Sequence, residues 1–320
     1  MNSKLSVNPM QVKLSDPSAR HSFQIQTTTA CNSACIFCPH RLTWGRKPVM
    51  YMSDDLIDNI LNQMKDFTIY RISPYLQNEP LCDPRIFDIL RKINSTLKFN
   101  HICFSTNAIA LGKDKCDKLV DTIKEMPHQI RLSFHGVSKE TYEKNMGLNF
   151  ETSLKNAIYF LKASQENGLN TEVRALGSKK GHVDVDAYDF DKNAFLNFWK
   201  EICDKENIEF ADHMFFYSTY NNRSNNVDFN MERDIVRPDL NNFYCTRVDK
   251  CFHFLHNGKM ILCCNDYNEE VIMGDITLNN VHDIIASENY KTINKKVRGQ
   301  IASEVDFLCK RCGSPFTPWW

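Results

Sequence analysis

The sequence lacks the long apolar runs and the charge excess that direct many proteins to membranes or nucleic acids. No stretch approaches the roughly 18 consecutive apolar residues that span a bilayer. Residues 1–20 have no apolar core of the kind a signal peptide needs. The 39 basic residues balance the 39 acidic ones, and no block of like charge stands out. We therefore expect a soluble, cytoplasmic protein with neither a membrane nor a nucleic-acid partner.

The chain also lacks the pattern of a disulfide-stapled domain, although it has 13 cysteines. An odd number of cysteines in a chain without a signal segment argues against a disulfide framework, because the cytosol keeps thiols reduced. Cysteines this frequent in a reducing compartment more often bind metals or take part in redox reactions. Three of them lie at 31–38 and six at 245–312. The other four are predicted to be small buried hydrophobes: Cys82, Cys103, Cys116 and Cys203.

The first three cysteines form a C-x3-C-x2-C triplet: Cys31, Cys35 and Cys38. Three thiolates this close together can hold three irons of a four-iron cluster and leave the fourth iron without a protein ligand. An exogenous molecule can then bind the open iron, whereas a four-cysteine site is closed. Zinc is the alternative, because His40 follows Cys38 by two residues and could complete a tetrahedral site.

Short β-branched runs alternate with helical patterns from residue 22 to 176. The patterns predict strands at 22–28, 70–76, 100–105, 129–134 and 170–176, and helices at 53–64, 84–93, 113–126, 150–168 and 195–202. This order predicts a parallel sheet with helices outside it, in which ligands bind at the carboxyl ends of the strands. The cysteine triplet directly follows the first strand, so it falls where an active site is expected.

The triplet and the strand–helix series that follows it resemble the radical S-adenosylmethionine (radical SAM) superfamily. The resemblance implies an α/β fold with a partial (β/α)6, TIM-like barrel at 21–217, an N-terminal extension at 1–20 and a connecting segment at 218–244. It also implies a 4Fe-4S cluster on the triplet and SAM on the open iron. Reductive cleavage of SAM, with electrons from a donor such as flavodoxin or ferredoxin, then gives a 5′-deoxyadenosyl radical that abstracts a hydrogen atom from the substrate.

Motifs at the strand ends extend this resemblance to SAM itself. Gln77-Asn78-Glu79-Pro80 occupies the position of the family's Gly-Gly-Glu-Pro, which assigns Glu79 to the SAM ammonium, although both glycines are replaced. A surface turn is the alternative for Glu79, and a structural ion pair is the alternative for Arg174. The remaining residues that the resemblance assigns to SAM are Phe37, Ser105, Thr106, Asn107, Ser133 and Arg174.

The late cysteines resemble the C-terminal SPASM/twitch modules of the same superfamily. Asn257-Gly258 lies between apolar runs and predicts a β-hairpin, and Gly274-Asp275-Ile276 matches a further module motif. The resemblance implies a small β-hairpin-plus-helix module at 245–320. We expect Pro318-Trp319-Trp320 to pack against this module. It also implies an auxiliary 4Fe-4S cluster, with zinc again the alternative, held by four cysteines: Cys245, Cys263, Cys309 and Cys312.

A closed auxiliary site favours oxidation of the substrate radical over other outcomes. We therefore expect an oxidoreductase acting on a small molecule such as a sugar or aminocyclitol, because alcohol dehydrogenation is known for a twitch enzyme with similar cysteine spacing. The first alternative is a maturase or epimerase of peptides, with Cys251 or Cys264 as the hydrogen-atom donor. The second is a non-catalytic zinc or iron-sulfur scaffold. No motif marks the substrate-binding residues, and fold analogy does not supply them.

Overall fold

The computed structural model describes residues 20–177, 191–211, 214–219, 223–227, 237–313 and 315. Almost all of the expected N-terminal extension lies outside the described residues, as does the predicted packing of Pro318-Trp319-Trp320. Parts of the polar stretch after the fifth predicted strand and of the connecting segment also lie outside them. No helix in the described ranges is long and apolar enough to cross a membrane.

The described strands form one sheet in the order β6-β5-β4-β3-β2-β1-β7-β8-β9. Their bounds are β1 (Arg20–Ile25), β2 (Thr68–Ser73), β3 (Phe99–Thr106), β4 (His128–Ser133), β5 (Thr171–Gly177), β6 (Phe215–Thr219), β7 (Cys251–Phe254), β8 (Lys259–Ile261) and β9 (Ile272–Asp275). Strands β1 to β6 are parallel and neighbour one another in chain order. Because β1 pairs with β7 on its other side, the barrel is open and partial, as predicted.

The bounds of the described helices are α1 (Asp54–Met64), α2 (Ile86–Thr96), α3 (Lys113–Ile123), α4 (Lys139–Met146), α5 (Phe150–Glu166), α6 (Lys192–Glu206), α7 (Arg247–Lys250), α8 (Val281–Ala286) and α9 (Glu288–Val297). Helices α1 to α6 connect successive strands from β1 to β6, α7 precedes β7, and α8 and α9 follow β9. The predicted cap of α1 is present, since the Ser53 side chain accepts a hydrogen bond from the backbone N–H of Leu56. The sequence patterns did not predict α4, which has no continuous apolar stripe and begins instead at a capping box of Ser138 and Thr141.

The C-terminal module continues the barrel sheet rather than forming a separate one. Strand β7 pairs in parallel with β1, and β8 pairs antiparallel with β7 on one side and with β9 on the other. The predicted hairpin turn joins β7 to β8, and Gly258 in it has a φ of 87°, a backbone conformation that favours glycine. Phe252 of β7 packs on Phe23 of β1 with ring centroids 5.1 Å apart, so one apolar core runs through both parts.

Candidate functional site

The carboxyl ends of the parallel strands surround a cavity of about 310 Å³. Residues from well-separated parts of the chain meet there, at the edge of the sheet where α/β folds bind ligands. The cavity is lined by all ten residues that the sequence assigns to the triplet cluster and to SAM: Cys31, Cys35, Phe37, Cys38, Glu79, Ser105, Thr106, Asn107, Ser133 and Arg174. Their roles as ligands remain predictions, but the fold brings them together.

The end of α4 fixes the shape of the cysteine loop. The backbone N–H groups of Ala34 and Ile36 donate to the carbonyl oxygens of Met146 and Asn145, each across 3.0 Å. Gly147 ends the helix with a φ of 65°, as is typical of a left-handed C-cap. A Cβ atom at this glycine would lie 3.0 Å from that of Ala34. The helix that the sequence did not predict therefore holds the loop in position.

Burial raises the pKa values of two loop thiols, Cys31 and Cys35. Desolvation, and next the charge of Cys38, raises the pKa of Cys35 to about 12. Desolvation, and next the charge of Glu79, raises the pKa of Cys31 well above its usual value. Thiolates become favourable in such surroundings when a cation binds them. The donor set of the loop therefore fits a metal cluster.

Glu79 is a buried carboxylate held by three hydrogen-bond donors. Its oxygens accept from the Thr106 hydroxyl at 2.7 Å and from the backbone N–H groups of Asn107 and Leu81 at 2.9 and 3.2 Å. Desolvation raises its pKa to about 7 in spite of these bonds, which lower it. A cationic ligand group would stabilise the charged form. The side chain is 5% exposed, so Glu79 is not the surface turn residue of the alternative interpretation.

The Phe37 side of the cavity is apolar and contains a neutral histidine. Ser133-Phe134-His135-Gly136 resembles the family's Ser-Ile-Asp-Gly motif, with His135 in place of Asp. The His135 ring meets that of Phe37 edge-on with centroids 4.7 Å apart. Burial, and next the charge of Arg223, lowers the pKa of His135 to about 3. The Leu176 backbone N–H donates to Nδ1 across 3.0 Å. The ring is therefore a fixed, uncharged wall beside the aromatic position that the resemblance assigns to adenine.

Arg174 takes part in a structural ion pair and also lines the cavity. Its Nη2 lies 2.6 Å from the Glu172 carboxylate, and its guanidinium carbon lies 4.7 Å from the centre of the Phe216 ring. Desolvation, and next the neighbouring Arg131, lowers the pKa of Arg174. The structural ion pair, which is the alternative interpretation of Arg174, is thus present. Arg174 also lines the cavity, where a carboxylate ligand could reach its guanidinium.

The four cysteines predicted for the auxiliary cluster line a second, small cavity inside the C-terminal module: Cys245, Cys263, Cys309 and Cys312. Apolar residues such as Val248, Leu262 and Leu308 complete the wall together with Arg247. Burial acts to lower the pKa of Arg247, but the adjacent cysteines outweigh it and raise the pKa. A four-thiol cavity that contains a cation fits an anionic, fully ligated iron-sulfur cluster.

Neither of the two remaining cysteines of the module is part of the main cavity wall as the described residues form it, although Cys264 packs against the apolar cluster of Leu76 and Tyr267 behind it. Cys251 is buried in β7, and Cys264 is hydrogen-bonded to Cys263. Of the four scattered cysteines, Cys82 is partly exposed, so its prediction as a buried residue was wrong because it lies at the edge of the site. The others are buried as predicted: Cys103, Cys116 and Cys203.

The zinc alternative at the triplet depends on His40 as its fourth ligand. Zinc needs all four ligands within about 2.0–2.3 Å of the metal. Nε2 of His40 lies 2.9 Å from the Thr29 carbonyl oxygen, so this ring nitrogen already has a hydrogen-bond partner. Binding zinc through it would require His40 to give up a contact that holds its ring in the fold.

Some polar residues of the main cavity carry no motif that would have assigned them to it: Ser33, Tyr75, Ser218, Arg223 and Tyr267. Tyr267 belongs to the C-terminal module and reaches Cys38 across 229 positions of sequence. Its only sequence cue is that it follows Cys263 by four residues. Tyr267 reaches the cavity because the module packs against the barrel. A local sequence pattern does not reveal such packing.

The fold and the two thiol sites define a class of protein: an open α/β barrel with a three-cysteine cavity, joined to a module with a closed four-cysteine cavity. Family models identify the class. The radical SAM superfamily model matches residues 25–179, and that of the SPASM iron-sulfur cluster-binding domain matches residues 245–313. The chain belongs to the radical SAM superfamily and has a C-terminal SPASM module. Its cofactors are accordingly a 4Fe-4S cluster, SAM and an auxiliary iron-sulfur centre.

Solved structures show the same fold at low sequence identity. BtrN in complex with AdoMet and 2-DOIA matches with a TM-score of 0.57 at 15% identity, over 92% of this chain and 93% of that one. SuiB of Streptococcus suis bound to the precursor peptide SuiA matches with a TM-score of 0.62 at 15% identity, over 86% of this chain and 67% of SuiB. For anSMEcpe with bound AdoMet the TM-score is 0.56 at 12% identity, and the match covers 86% of this chain and 80% of anSMEcpe. No curated protein sequence matches the chain.

Proposed function

We propose that the protein is a radical SAM oxidoreductase that oxidises a small molecule such as a sugar or an aminocyclitol. The observation that carries this proposal is the combination of an open three-thiol cavity and a closed four-thiol cavity in one chain. When bound, the clusters and SAM supply a 5′-deoxyadenosyl radical, which removes a hydrogen atom, and an acceptor for the second electron of the oxidation.

The residues of the main cavity would hold SAM in a defined orientation. Glu79 offers its buried carboxylate to the SAM amino group, and Ser133 and Arg174 offer a hydroxyl and a guanidinium to its carboxylate. Phe37 offers an apolar face to adenine. Ser105, Thr106 and Asn107 lie at the end of β3 and provide polar groups for the rest of the cofactor. The neutral His135 excludes water behind Phe37.

Chain coverage supports the small-molecule substrate. The match with BtrN extends over nearly the whole of both chains, whereas SuiB has a third of its length outside the match. We infer that the parts of BtrN that bind a small molecule have counterparts in this chain. In this proposal an external one-electron donor such as flavodoxin or ferredoxin reduces the barrel cluster in the cytoplasm.

Modification of a peptide is the second candidate, and the TM-score of 0.62 to peptide-bound SuiB favours it. Its epimerase form needs a hydrogen-atom donor that faces the substrate. Cys251 and Cys264 do not line the main cavity as the described residues form it. We therefore rank oxidation above epimerisation.

The first experiment is anaerobic reconstitution, followed by assays of iron, sulfide and 5′-deoxyadenosine formed from SAM under a reductant. We expect about eight irons per chain, because two clusters of four irons are proposed, and SAM cleavage that requires Cys31. The variant Cys31→Ala should lose cleavage and about four irons, whereas the control Cys203→Ala, in α6 away from both cavities, should keep both. Zinc in place of iron, with no cleavage, would contradict the proposal.

The second experiment distinguishes the two substrate classes. The reconstituted enzyme is incubated with panels of deuterated sugars, aminocyclitols and synthetic peptides, and 5′-deoxyadenosine is analysed by mass spectrometry. We expect deuterium transfer from a sugar or aminocyclitol and a product lacking two hydrogens. Transfer from a peptide alone would replace this proposal with the peptide alternative.

A further inference from the structure

Two side chains link the C-terminal module to the region of the SAM-binding cluster. The hydroxyl of Tyr267 lies 3.6 Å from Sγ of Cys38. The Gln77 amide nitrogen donates to the carbonyl oxygens of Cys264 and Asp266, at 3.2 and 3.0 Å. The Gln77 amide oxygen accepts from the indole N–H of Trp44 across 2.7 Å. The segment that follows Cys263 is thus attached to the barrel at the cysteine loop.

The position of Tyr267 is fixed by its surroundings. Its side chain is 7% exposed and packs in a small apolar cluster with Trp44 and Leu76, which Cys38 also contacts. The Asp266 carboxylate accepts from the backbone N–H groups of Glu270 and Val271, at 2.8 and 2.9 Å, which closes the loop that carries Tyr267. Little conformational freedom therefore remains at the phenol.

We propose that Tyr267 donates a hydrogen bond to the Cys38 thiolate and so raises the reduction potential of the SAM-binding cluster. A ligating thiolate can only accept, so the phenol O–H must be the donor. Hydrogen bonds to the sulfurs of an iron-sulfur cluster stabilise its more negative, reduced form, and they do so more strongly at a buried position. Tyr267 is therefore a positioning residue, by which the auxiliary module adjusts the cluster of the barrel.

Another polar contact to a loop thiol is shared between two acceptors. Ser33 Oγ lies 2.9 Å from Sγ of Cys35 and 2.7 Å from the carbonyl oxygen of Met146. A serine has one O–H donor, so a hydrogen bond to either acceptor is made at the expense of the other. Ser33 belongs to the loop itself, whereas Tyr267 is the contact by which the C-terminal module reaches a loop thiol.

The test compares Tyr267→Phe with the parent protein, both reconstituted with iron and sulfide. The reduction potential of the SAM-binding cluster is measured by EPR-monitored titration, and its signal is identified as the one that changes when SAM is added. We expect a more negative potential for this cluster in Tyr267→Phe and an unchanged potential for the other one. Iron content should stay the same, because the phenol is not a ligand.

Tyr290→Phe is the matched control. Tyr290 is a buried tyrosine of the same module, and its hydroxyl donates to the Val248 carbonyl oxygen, away from Cys38. Equal potentials in Tyr267→Phe and the parent, or equal shifts in both variants, would overturn the inference. The inference rests on Cys38 being a cluster ligand. Absence of a SAM-responsive signal in the parent would refute that proposed function, whereas a normal signal with an unmoved potential refutes the role of Tyr267 alone.

Discussion

At the scale of single residues, the main cavity combines thiols and a carboxylate that burial makes reluctant to ionise. The sequence indicated that these residues would lie near one another, because each follows a strand in a parallel sheet and strand ends converge at one edge; their roles as ligands stay predictions. Glu79 and Ser133 are examples that motif position alone assigns to the cavity. Tyr267 and Arg223 could not be found in this way, since their approach depends on contacts between elements that are distant in sequence.

Glu79 should make the stability of the metal-free protein depend on pH. Its pKa is raised from 4.5 to about 7 in the folded state, so the folded state binds a proton more tightly than the unfolded state does. Stability should therefore fall as pH rises from about 4.5 to about 7, by at most about 3 kcal/mol, and then stay level. Glu79→Gln should remove this decline.

Urea unfolding at pH 5 and pH 8 checks this expectation. Asp266, whose pKa burial raises to about 6, contributes a similar slope in both proteins. The informative quantity is therefore the difference between the variant and the parent in the free energy of unfolding. Parallel pH profiles for the two would show that the surroundings of Glu79 do not affect its ionisation.

At the scale of elements, the alternation of apolar runs predicted β1 to β5 and most of the helices around them to within a few residues. Within the barrel, one helix and one strand escaped prediction for physical reasons. Helix α4 buries few apolar side chains and depends on its caps, so it has no periodic signal. Strand β6 lies next to a polar, Asn-rich stretch that shows no clear pattern. Helix α4 holds the cysteine loop in position, so an element that shapes the site was not predicted from the sequence.

Gly136→Ala should displace α4 and weaken the cysteine loop. A Cβ atom at Gly136 would lie 2.5 Å from the backbone nitrogen and Cα of Tyr142, which cannot give way as a flexible side chain could. We expect a loss of about 1–3 kcal/mol in the free energy of unfolding, typical of overpacking, together with lower iron uptake. Thermal unfolding and iron assays measure the two effects.

Gly112→Ala is the control for this substitution. Gly112 precedes α3, and a Cβ atom there would have no neighbour within 4 Å. Gly112→Ala should change the free energy of unfolding less than Gly136→Ala does, and it should leave iron uptake unaltered. A tolerated alanine at residue 136 would show that α4 can shift without consequence for the loop.

At the scale of the whole molecule, barrel and module share one sheet and one apolar core. The family resemblance predicted both parts, but not that β7 would pair with β1. Four residue pairs join these strands, from Ser22 with Cys251 to Ile25 with Phe254. Parallel partners more than 200 positions apart leave no local trace in a sequence, because any strand with a suitable face could occupy that edge.

Phe252→Ala should destabilise barrel and module together. Phe252 is 1% exposed and contacts the rings of His21, Phe23 and Phe67, so its removal should cost about 3–5 kcal/mol. Because the core is continuous, unfolding should remain a single transition. Coincident midpoints by tryptophan fluorescence and far-UV circular dichroism check this. Two separate transitions would show that the module unfolds independently.

The β1–β7 pairing also bears on how electrons move. A module attached by a flexible linker could change its distance from the barrel whenever a substrate entered or left. Here the separation of module and barrel is set by the spacing of the paired strands β1 and β7, about 4.7–4.9 Å. Altering that separation would require breaking the backbone hydrogen bonds between the two strands. Tunnelling between the two proposed clusters should therefore proceed over the same path before and after substrate binding.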